Sequence, residues 1–368
     1  MLKPGDRLQL RIQDVAFGGK GVARHDERVV FVPFVDSGEE VVAEVTAVKK
    51  NFAEARLVEV LEASPHRVEP RCVYFQTCAG CQYQHLDYGR QLDHKSKQLR
   101  DTLERIGGIR APIDPAIPSP EPYGYRNKLS LTWISGRLGL FAADNYTLIG
   151  VEQCPIALPE VNEKLSKLRA KKISPPKSGR NRQSFVLRTD ALEKKLPEHA
   201  FAQVNDALAP KLAEIAREIL RPCDTLVDAY CGAGFFALAL APRAKKIIGI
   251  ELHAESIELA RKEAKALGVE NVEFVAAAVE KYLPEKASSL GSYAVVIDPP
   301  RTGCAPPVLE TLLATKPAQI LYVSCNPATL ARDLKALSSA YDIERIVPVD
   351  MFPQTQHLET VCGLKLRA

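Results

Sequence analysis

The chain has 368 residues, a formal net charge of +4 at pH 7, 46% hydrophobic residues and 26% charged residues, which is the composition of an ordinary globular protein. No apolar stretch approaches the roughly 20 residues of a transmembrane helix, and the N-terminal MLKPGDRLQL lacks the apolar core of a signal peptide, so we expect a cytoplasmic protein without membrane association. The length indicates two or three domains, and nine cysteines in such a chain favour metal-binding or catalytic roles over a disulfide scaffold.

Positive charge is concentrated in the middle of the chain. Residues 61–200 carry 22 basic and 15 acidic side chains, whereas residues 1–60 carry nine and ten, and residues 201–368 carry 18 and 20. A basic segment between nearly neutral ones is typical of proteins that bind a polyanion, because each phosphate that is neutralised releases counterions. A solvated basic face explains the same numbers, so charge alone leaves the partner open.

Residues 1–62 have the alternating pattern of a small β-barrel. The runs LQLRI, VVFVPFV, EEVVAEVTAV and EARLVEVLE alternate apolar and polar side chains, and Gly18-Gly19 and Asp36-Ser37-Gly38 lie between them. Such period-two runs separated by turn residues predict a small antiparallel barrel. Barrels of this kind often bind oligonucleotides.

Residues 63–198 are predicted to form a central α+β domain. A leucine stripe at helical spacing predicts a helix over 84–106 that ends at Gly107-Gly108. The runs LSLTWI and RLGLFAA predict two strands. The basic stretch KKISPPKSGRNR at 171–182 predicts a loop.

Two features of this central domain suggest binding. Four soft thiolates suit either zinc or an iron–sulfur cluster, and the candidates are Cys72, Cys78, Cys81 and Cys154. Zinc sites usually contain two close cysteine pairs, whereas this spacing has one close pair and a distant cysteine followed by proline, as in ferredoxins. Aromatic and basic residues also alternate, which suits stacking on unpaired nucleotides and contacts to phosphates, although an ordinary amphipathic strand explains the pattern too; these residues are Tyr123, Tyr125, Arg126 and Lys128, with Arg180 and Arg182 in the basic loop.

Residues 199–368 alternate short apolar runs with helical stretches. The runs are TLVDAY, KIIGIE, VEFVAA, YAVVID and QILYVS. This rhythm predicts a doubly wound, mostly parallel sheet with right-handed crossovers. The carboxyl ends of its strands, where ligands bind in such sheets, carry Asp228, Glu251, Asp298 and Cys325.

The turn after the first of these strands suggests a nucleoside pocket. DAYCGAG contains Gly232 and Gly234, which permit a tight turn close to a ligand. Glu251 ends the next strand, where an acidic side chain can bind ribose hydroxyls. A dinucleotide enzyme fits these features too, but the strand ends in Asp and a third glycine is missing, which favours S-adenosylmethionine.

Cys325 stands between the strand QILYVS and a predicted helix. Asn326 can cap that helix and Pro327 suits its first turn. A thiol before a helix N-terminus feels the positive end of the helix dipole, so we expect a lowered pKa. A buried structural cysteine is the alternative from this segment alone.

Several motifs in one order carry a family resemblance. They are the N-terminal barrel, the cysteine cluster, FAQVN at 201–205, DAYCGAG, IDPPRTG, VSCNPATLARD and FPQTQHLETV at 352–361. Essentially end to end, the chain resembles the RNA uracil-C5 methyltransferases, which make 5-methyluridine in tRNA and 23S rRNA. The resemblance implies an OB-like TRAM barrel at 1–62, a central α+β iron–sulfur and RNA-binding domain at 63–198, and a Rossmann-like methyltransferase domain at 199–368.

The resemblance also implies roles for single residues. Cys325 would be the nucleophile that adds to C6 of uracil, and Glu359 the base that removes the C5 proton. His357 is a nearby competitor for the base, and Arg301 would bind the uracil edge or order the cysteine loop. The methyl donor would be bound by Gln203, Tyr230, Gly232, Glu251 and Asp298.

This chain departs from the family pattern at the donor site. Family members commonly have Asn where it has Phe235, and often a polar residue where it has Ala276, Ala277 and Ala278. We therefore expect some contacts to the adenosine to differ.

The resemblance favours a [4Fe-4S] cluster on the four cysteines, with zinc and free thiols as alternatives. It leans towards 23S rRNA as substrate, with a tRNA T-loop uridine as alternative, and we expect a monomer. Two other functions stay open: an inactive iron–sulfur protein that binds RNA, and amino-group methylation, although enzymes of that kind usually place an aromatic residue where this chain has Arg301.

Overall fold

The structure is a computed structural model that describes residues 2–144, 146–171, 182–195 and 202–367. The chain divides into two compact units, each assembled from three separated segments. Unit 1 consists of Met1–Leu99, Glu121–Leu187 and Phe352–Gln356; unit 2 consists of Arg100–Pro120, Arg188–Met351 and His357–Ala368. None of the described helices is long and apolar enough to cross a membrane. The predicted domain boundaries after residues 62 and 198 stay a prediction.

Unit 1 begins with a six-stranded sheet. Its strands are β1 (Arg7–Arg11), β2 (Asp14–Val15), β3 (Lys20–His25), β4 (Arg28–Pro33), β5 (Glu40–Val48) and β6 (Phe52–Glu62), in the order β1-β5-β6-β4-β3-β2. Alternate side chains are buried in β1, in β3 and in most of β5, as the alternation predicts, and the core is built of Val, Leu, Ile and Ala. The predicted all-antiparallel pairing is wrong at one place, because β4 and β6 pair in parallel; alternation fixes which face is buried but not strand direction.

The predicted helix at 84–106 is α1 (Tyr88–Thr102), which continues as a π-helical turn over Leu103–Gly107. It begins later than predicted because the Asp87 side chain accepts a hydrogen bond of 2.8 Å from the Arg90 N–H at the first turn. It ends where predicted, since Gly108 takes a left-handed conformation with φ of 67°.

The rest of unit 1 contains a second sheet. Its strands are β7 (Lys128–Ile134), β8 (Arg137–Phe141), β9 (Leu148–Ile149) and β10 (Arg182–Arg188), in the order β10-β7-β8-β9. The helix α2 (Pro159–Ala170) buries Val161 and Leu165 in the same core as Leu129 and Leu131 of β7. The two strands predicted in this part are therefore confirmed.

A turn at Phe352–Gln356 belongs to unit 1 although it lies near the end of the chain. The amide side chains of Gln91 and Gln354 are 3.0 Å apart, and the Gln354 N–H donates back to the Gln91 side chain at 3.0 Å. The Gln354 carbonyl accepts from the N–H groups of Gln82 and Tyr83 at 3.0 Å each. Both glutamine side chains are buried, so this turn is a fixed part of unit 1.

Unit 2 is built on a seven-stranded sheet covered by helices. After α3 (Asp190–Lys195) and α4 (Ala209–Ile219) come β11 (Cys223–Ala229), α5 (Phe235–Ala239), β12 (Ala244–Glu251), α6 (Ala254–Ala266), β13 (Val272–Ala276), α7 (Val279–Lys286), β14 (Tyr293–Ile297), α8 (Pro306–Thr315), β15 (Gln319–Ser324), α9 (Pro327–Leu337), β16 (Tyr341–Val349) and β17 (Glu359–Leu366). The five strands predicted from the apolar runs are β11 to β15. The fold class is confirmed: a doubly wound α/β sheet, with a second, mainly β part before it.

The strand order in unit 2 is β13-β12-β11-β14-β15-β17-β16. The strands β11 to β15 run in parallel, and β17 pairs antiparallel with both β15 and β16. The chain order reverses between β11 and β14, and a doubly wound sheet binds its ligand at that point, outside the carboxyl ends of the strands.

Candidate active site

Three functional groups meet where β14, β15 and β17 come together. Asp298 directly follows β14 and Cys325 directly follows β15, while Glu359 is the first residue of β17. Ser324 pairs with Thr360 across the antiparallel ladder, and one further step of that register sets Cys325 opposite Glu359. The topology thus brings an acid from a distant part of the chain beside the thiol.

Burial raises the pKa of the Cys325 thiol from 9.0 to about 11. The negative charges of Glu359 and Asp298 act in the same direction, and the positive charge of Arg301 acts against them. The expectation of a lowered pKa from the helix dipole is therefore wrong in sign, because desolvation and two carboxyl groups outweigh the helix terminus. In the free protein this residue is mainly a thiol.

The two carboxyl groups are themselves held towards their neutral form. Burial raises the pKa of Asp298 from 3.8 to about 7. Burial also raises the pKa of Glu359 well above its usual range, helped by the charge of Asp298 and opposed by Arg301. A carboxyl group with a pKa near neutrality, such as Asp298, can accept and release a proton at the operating pH, so this edge can move protons.

Hydrogen bonds hold the loop that contains Arg301 against the start of α9. The Asn326 side chain accepts from the Ala328 N–H at 3.1 Å as the predicted helix cap, and its amide donates to the Arg301 carbonyl at 2.9 Å. The Arg301 guanidinium lies 3.2 Å from Nε2 of His357. Since a guanidinium can only donate, Nε2 of His357 is the acceptor in this contact.

A buried carboxylate supports the same loop from below. Asp333 of α9 is fully buried and accepts from the Tyr322 hydroxyl at 2.6 Å and from the Cys304 N–H at 2.8 Å through its Oδ2. Its Oδ1 accepts from Nε of Arg332 at 2.7 Å. Asp333 therefore fixes the segment after Arg301 to the strand that carries Cys325.

A cavity of about 280 Å³ lies beside these groups in unit 2. Four of the five residues predicted to bind the methyl donor line it, namely Gln203, Tyr230, Gly232 and Asp298. Gly232 has φ of 53° and open space where a side chain would be, so a ligand can approach its backbone. Phe235, which replaces a usual Asn, also lines the cavity.

Glu251, the fifth residue, fixes the glycine turn. Its carboxylate accepts hydrogen bonds from the N–H groups of Gly232 at 3.2 Å and His253 at 2.9 Å. Beneath the turn, Asp228 is fully buried, and one of its oxygens accepts from the Ala237 N–H at 2.7 Å. Its other oxygen has no partner among the described groups, and burial raises its pKa to about 8.

The four cysteines of the predicted cluster lie together in unit 1. Cys72, Cys78, Cys81 and Cys154 all line one cavity of about 240 Å³. Within the described part of the chain, no three His, Cys, Asp or Glu side chains are arranged to hold a single metal ion.

The residues predicted to contact RNA separate into different environments. Tyr125 is only 5% exposed and its hydroxyl donates to the Pro353 carbonyl at 3.0 Å, so its ring cannot stack on a base and that prediction is wrong. Arg126 lines the cysteine cavity, and its Nε donates to the Lys128 carbonyl at 2.9 Å. Arg182 lies at the start of β10 with its guanidinium over the Phe141 ring. The rest of the basic loop, with Arg180, lies outside the described residues.

Two residues at this site were not predicted from the sequence. Glu280 of α7 accepts a hydrogen bond of 2.8 Å from the Tyr230 hydroxyl, and Asp333 supports the Arg301 loop. Asp333 sits in the quoted motif VSCNPATLARD, where its position on the buried face of α9 was the available signal. The sequence gives no reason to predict a role for Glu280, because the strand before it has no polar residue at its carboxyl end that would indicate a binding site there.

Comparisons with known proteins agree with this geometry. The family model described as tRNA (Uracil-5-)-methyltransferase matches residues 166–368, and the TRAM domain model matches residues 2–58. A protein of Nostoc sp. described as an uncharacterized RNA methyltransferase is 33% identical, over 98% of this chain and 97% of the relative. A protein of Bdellovibrio bacteriovorus with the same description is 34% identical, over 98% of this chain and 96% of the relative.

The structure also resembles the tRNA (uracil-54, C5)-methyltransferase of Pyrococcus abyssi, solved with S-adenosyl-L-homocysteine. The TM-score is 0.73 at 24% identity, over 97% of this chain and 100% of that one, which shows a shared fold. The family model covers more than half of this chain, and relatives above 30% identity align along nearly all of it. The chain therefore belongs to the tRNA (uracil-5-)-methyltransferase family, enzymes that methylate C5 of uracil in RNA.

Proposed function

We propose that this protein methylates C5 of one uridine in RNA through a covalent bond between Cys325 and C6 of the base. The observation that carries the proposal is the meeting of Cys325, Glu359 and Asp298 at one sheet edge, next to the cavity lined by Tyr230 and Gly232. A thiol, a base and a donor pocket are the three parts that this reaction needs.

The steps follow from the chemistry of uracil. The Cys325 sulfur bonds to C6 as its proton passes to a neighbouring carboxylate, and the C5–C6 electron pair moves to the O4 oxygen as an enolate. S-adenosylmethionine, when bound, would supply an electrophilic methyl group. C5 would form a bond to that methyl carbon as its bond to the sulfonium sulfur breaks, and S-adenosylhomocysteine would leave with the electron pair. The Glu359 carboxylate then removes the C5 proton, the C5–C6 double bond returns, and the bond from sulfur to C6 breaks.

The raised pKa values suit this order of events. Cys325 starts as a thiol, so its proton must leave during attack, and Asp298 with a pKa of about 7 can receive it. Glu359 is buried next to Arg301, whose positive charge favours the carboxylate form. We also propose that Arg301 donates hydrogen bonds to the enolate oxygen, which would stabilise charge that develops in the reaction.

We propose that the cavity in unit 2 binds S-adenosylmethionine. The open backbone at Gly232 and the lining residues Gln203, Tyr230 and Asp298 fit a nucleoside with an attached amino acid. The unpaired oxygen of Asp228 lies beneath the same turn. Glu251, already oriented by two backbone N–H groups, has lone pairs left for ribose hydroxyls.

We propose that the four cysteines hold a [4Fe-4S] cluster. All four line one cavity, and thiolates are the ligands that such clusters take. Methyl transfer requires no electron, so we assign the cluster a structural or RNA-binding role.

The RNA substrate that we propose is 23S rRNA, on the combination of a TRAM barrel with four cysteines. A tRNA is the second candidate, because the family description and the Pyrococcus abyssi relative both name tRNA. Mapping of 5-methyluridine in both RNAs from a deletion strain distinguishes them, since only the true target loses its modification.

A mechanism-based trap tests the covalent step. RNA that contains 5-fluorouridine should give a stable adduct with the protein and S-adenosylmethionine, because the C5 fluorine cannot leave as a proton does. Cys325→Ala should give none, whereas Cys223→Ala, at the opposite end of the sheet, should react like wild type. An adduct that survives in Cys325→Ala, or no adduct with wild type on either RNA, would refute the nucleophile.

Ordinary RNA distinguishes the two candidate bases. Without a base the methylated intermediate cannot eliminate, so Glu359→Gln should accumulate a methylated covalent adduct with unmodified uridine. His357→Gln should turn over without such accumulation. If instead His357→Gln accumulates the adduct and Glu359→Gln does not, the base is His357.

Iron analysis tests the cluster. Protein purified without oxygen should be brown and contain about four irons per chain, and Cys81→Ser should lose most of the iron while Cys362→Ser keeps it. A colourless wild-type protein that contains zinc would refute the assignment.

A further inference from the structure

A second cavity in unit 1 has a strongly basic lining. It is a cleft of about 530 Å³ formed by the hairpin of β7 and β8, the residues around β9, and the end of α2. Arg137 comes from the hairpin, and Arg169 and Lys171 come from the end of the helix. Eight of the described residues line the cleft, and none of these eight is acidic. The three cations therefore have no negative counterpart among the described lining residues.

These cations are free to bind a ligand. All three side chains are exposed, and within the described ranges none of them forms an ion pair. The exposed arginines elsewhere commonly have one, as Arg221 does with Glu344 at 2.7 Å. Three unpaired cations around one cleft repel each other, and a bound anion would relieve that repulsion.

The backbone around the cleft fixes where these charges stand. Ser135 and Gly136 both have positive φ, 49° and 87°, which forms the tight hairpin turn that places Arg137 at its rim. The Arg169 guanidinium lies over Gly150, 3.5 Å from where a side chain would begin. Gly150 thus leaves room for the guanidinium beside the opening.

We propose that this cleft binds the phosphodiester backbone of the RNA substrate. The proposal rests on the proposed RNA methylation. Arginine and lysine side chains are positively charged and donate hydrogen bonds to phosphate oxygens. A cleft whose described lining contains cations and no carboxylate suits a polyanion that crosses it rather than a neutral metabolite. Residues 61–200, which include the cleft, are also the part of the sequence with an excess of basic over acidic residues.

A tryptophan in the lining of the cleft provides a fluorescence signal for binding. Trp133 lines it and is the one tryptophan of the 368-residue sequence. Trp133 is 4% exposed, so its indole senses changes in the cleft without offering a stacking face. Tryptophan fluorescence therefore reports on changes around this cleft.

The test compares RNA binding by wild type and by Arg137→Gln/Arg169→Gln. If each arginine neutralises one phosphate, the variant should bind RNA about tenfold more weakly at about 0.15 M salt, and the slope of log K against log salt should fall by about 1.4. The fluorescence change of Trp133 on RNA addition should be lost. Lys262→Ala/Lys265→Ala on α6 removes the same charge from another exposed surface and should bind like wild type.

A charge-preserving variant guards against misfolding. Arg137→Lys/Arg169→Lys should keep RNA affinity within about threefold of wild type, because a phosphate contact requires mainly the charge. Wild-type affinity and salt slope in the glutamine variant would overturn the proposal. So would inorganic phosphate or a mononucleotide that saturates the Trp133 signal and is not displaced by RNA, because the cleft would then be a small-anion site.

The adduct assay keeps this proposal separate from the proposed function. At saturating 5-fluorouridine RNA, the glutamine variant should reach the wild-type adduct level, since Cys325 and Glu359 are untouched. Two results together would contradict the methylation chemistry but support RNA binding in the cleft. The wild-type protein would form no adduct, and the glutamine variant would bind RNA more weakly than wild type.

Discussion

The Cys325 thiol should react slowly with alkylating reagents near neutral pH, because burial and two neighbouring carboxyl groups raise its pKa to about 11. Only the thiolate is nucleophilic. At about pH 8, a thiol with a pKa of about 11 is ionised to about one part in a thousand, whereas one at 9.0 is ionised to about one part in ten. Alkylation of Cys325 should therefore be about 100-fold slower than that of an ordinary exposed cysteine.

The rate should rise about tenfold with each pH unit and level off only near the pKa. Mass spectrometry of the peptide around Cys325 measures this directly, and Cys304, a buried thiol with a pKa of about 12, is an internal control that should react still less. Near about pH 9, Asp298→Asn should speed alkylation, because it removes a negative charge that raises the thiol pKa. Arg301→Gln should slow it, and Glu310→Gln, on the exposed face of α8, should change nothing.

Alkylation that is already at its maximum by about pH 8 would show that the thiol pKa is not raised. The helix dipole would then dominate over desolvation, and the order of proton transfer proposed above would need to be reversed. Unchanged rates in both Asp298→Asn and Arg301→Gln would show that these charges do not reach the sulfur.

Two further predictions concern the loops around the thiol. Gly303→Ala should lower the free energy of unfolding, measured by urea denaturation, by at least about 3 kcal/mol, because φ at Gly303 is +77° and the new Cβ would lie 2.6 Å from Asp333. The control Gly291→Ala has a similar φ of +68° but open space around the new Cβ, so it should lower that free energy by only about 1 kcal/mol. Equal losses in the two variants would contradict the steric argument. Asn326→Ala should lose about 1 kcal/mol from the α9 cap. Asn326→Asp keeps the cap but not the donor to the Arg301 carbonyl, so it should fold normally and form the adduct about tenfold more slowly; wild-type adduct rates would show that this hydrogen bond does not position the loop.

Pattern and motif predict much of this protein. The apolar runs from TLVDAY to QILYVS predict the five parallel strands, because each run is short, contains β-branched residues or other strand formers, and is followed by a helical pattern. If those strands are parallel, Asp298 and Cys325 must both lie at the edge formed by the carboxyl ends of the strands. The sequence alone therefore predicts that they lie at the same edge. The spacing around Cys72 and Cys154 similarly pointed to one shared site, and all four cysteines line one cavity.

Other properties depend on burial and on partners that are distant in sequence. The pKa of Cys325 was predicted with the wrong sign because the local sequence shows the helix terminus but not the desolvation or the carboxyl groups beside it. Tyr125 was predicted to stack on RNA because it stands among basic residues, yet its ring is buried and its hydroxyl binds the Pro353 carbonyl. The parallel pairing of β4 and β6 leaves no mark in an alternating pattern.

The turn at Phe352–Gln356 has a consequence for biosynthesis. Gln91 and Gln354 are bonded to each other across 263 positions in the sequence, so unit 1 lacks an interior segment until almost the whole chain has been made. During translation its buried amide at Gln91 must stay hydrated while the sheet of unit 2 forms from residues that emerge in between. Unit 1 is therefore synthesised first but can complete its fold only after Phe352–Gln356 has been made. A chain that terminates before Phe352 should be soluble only with the help of chaperones.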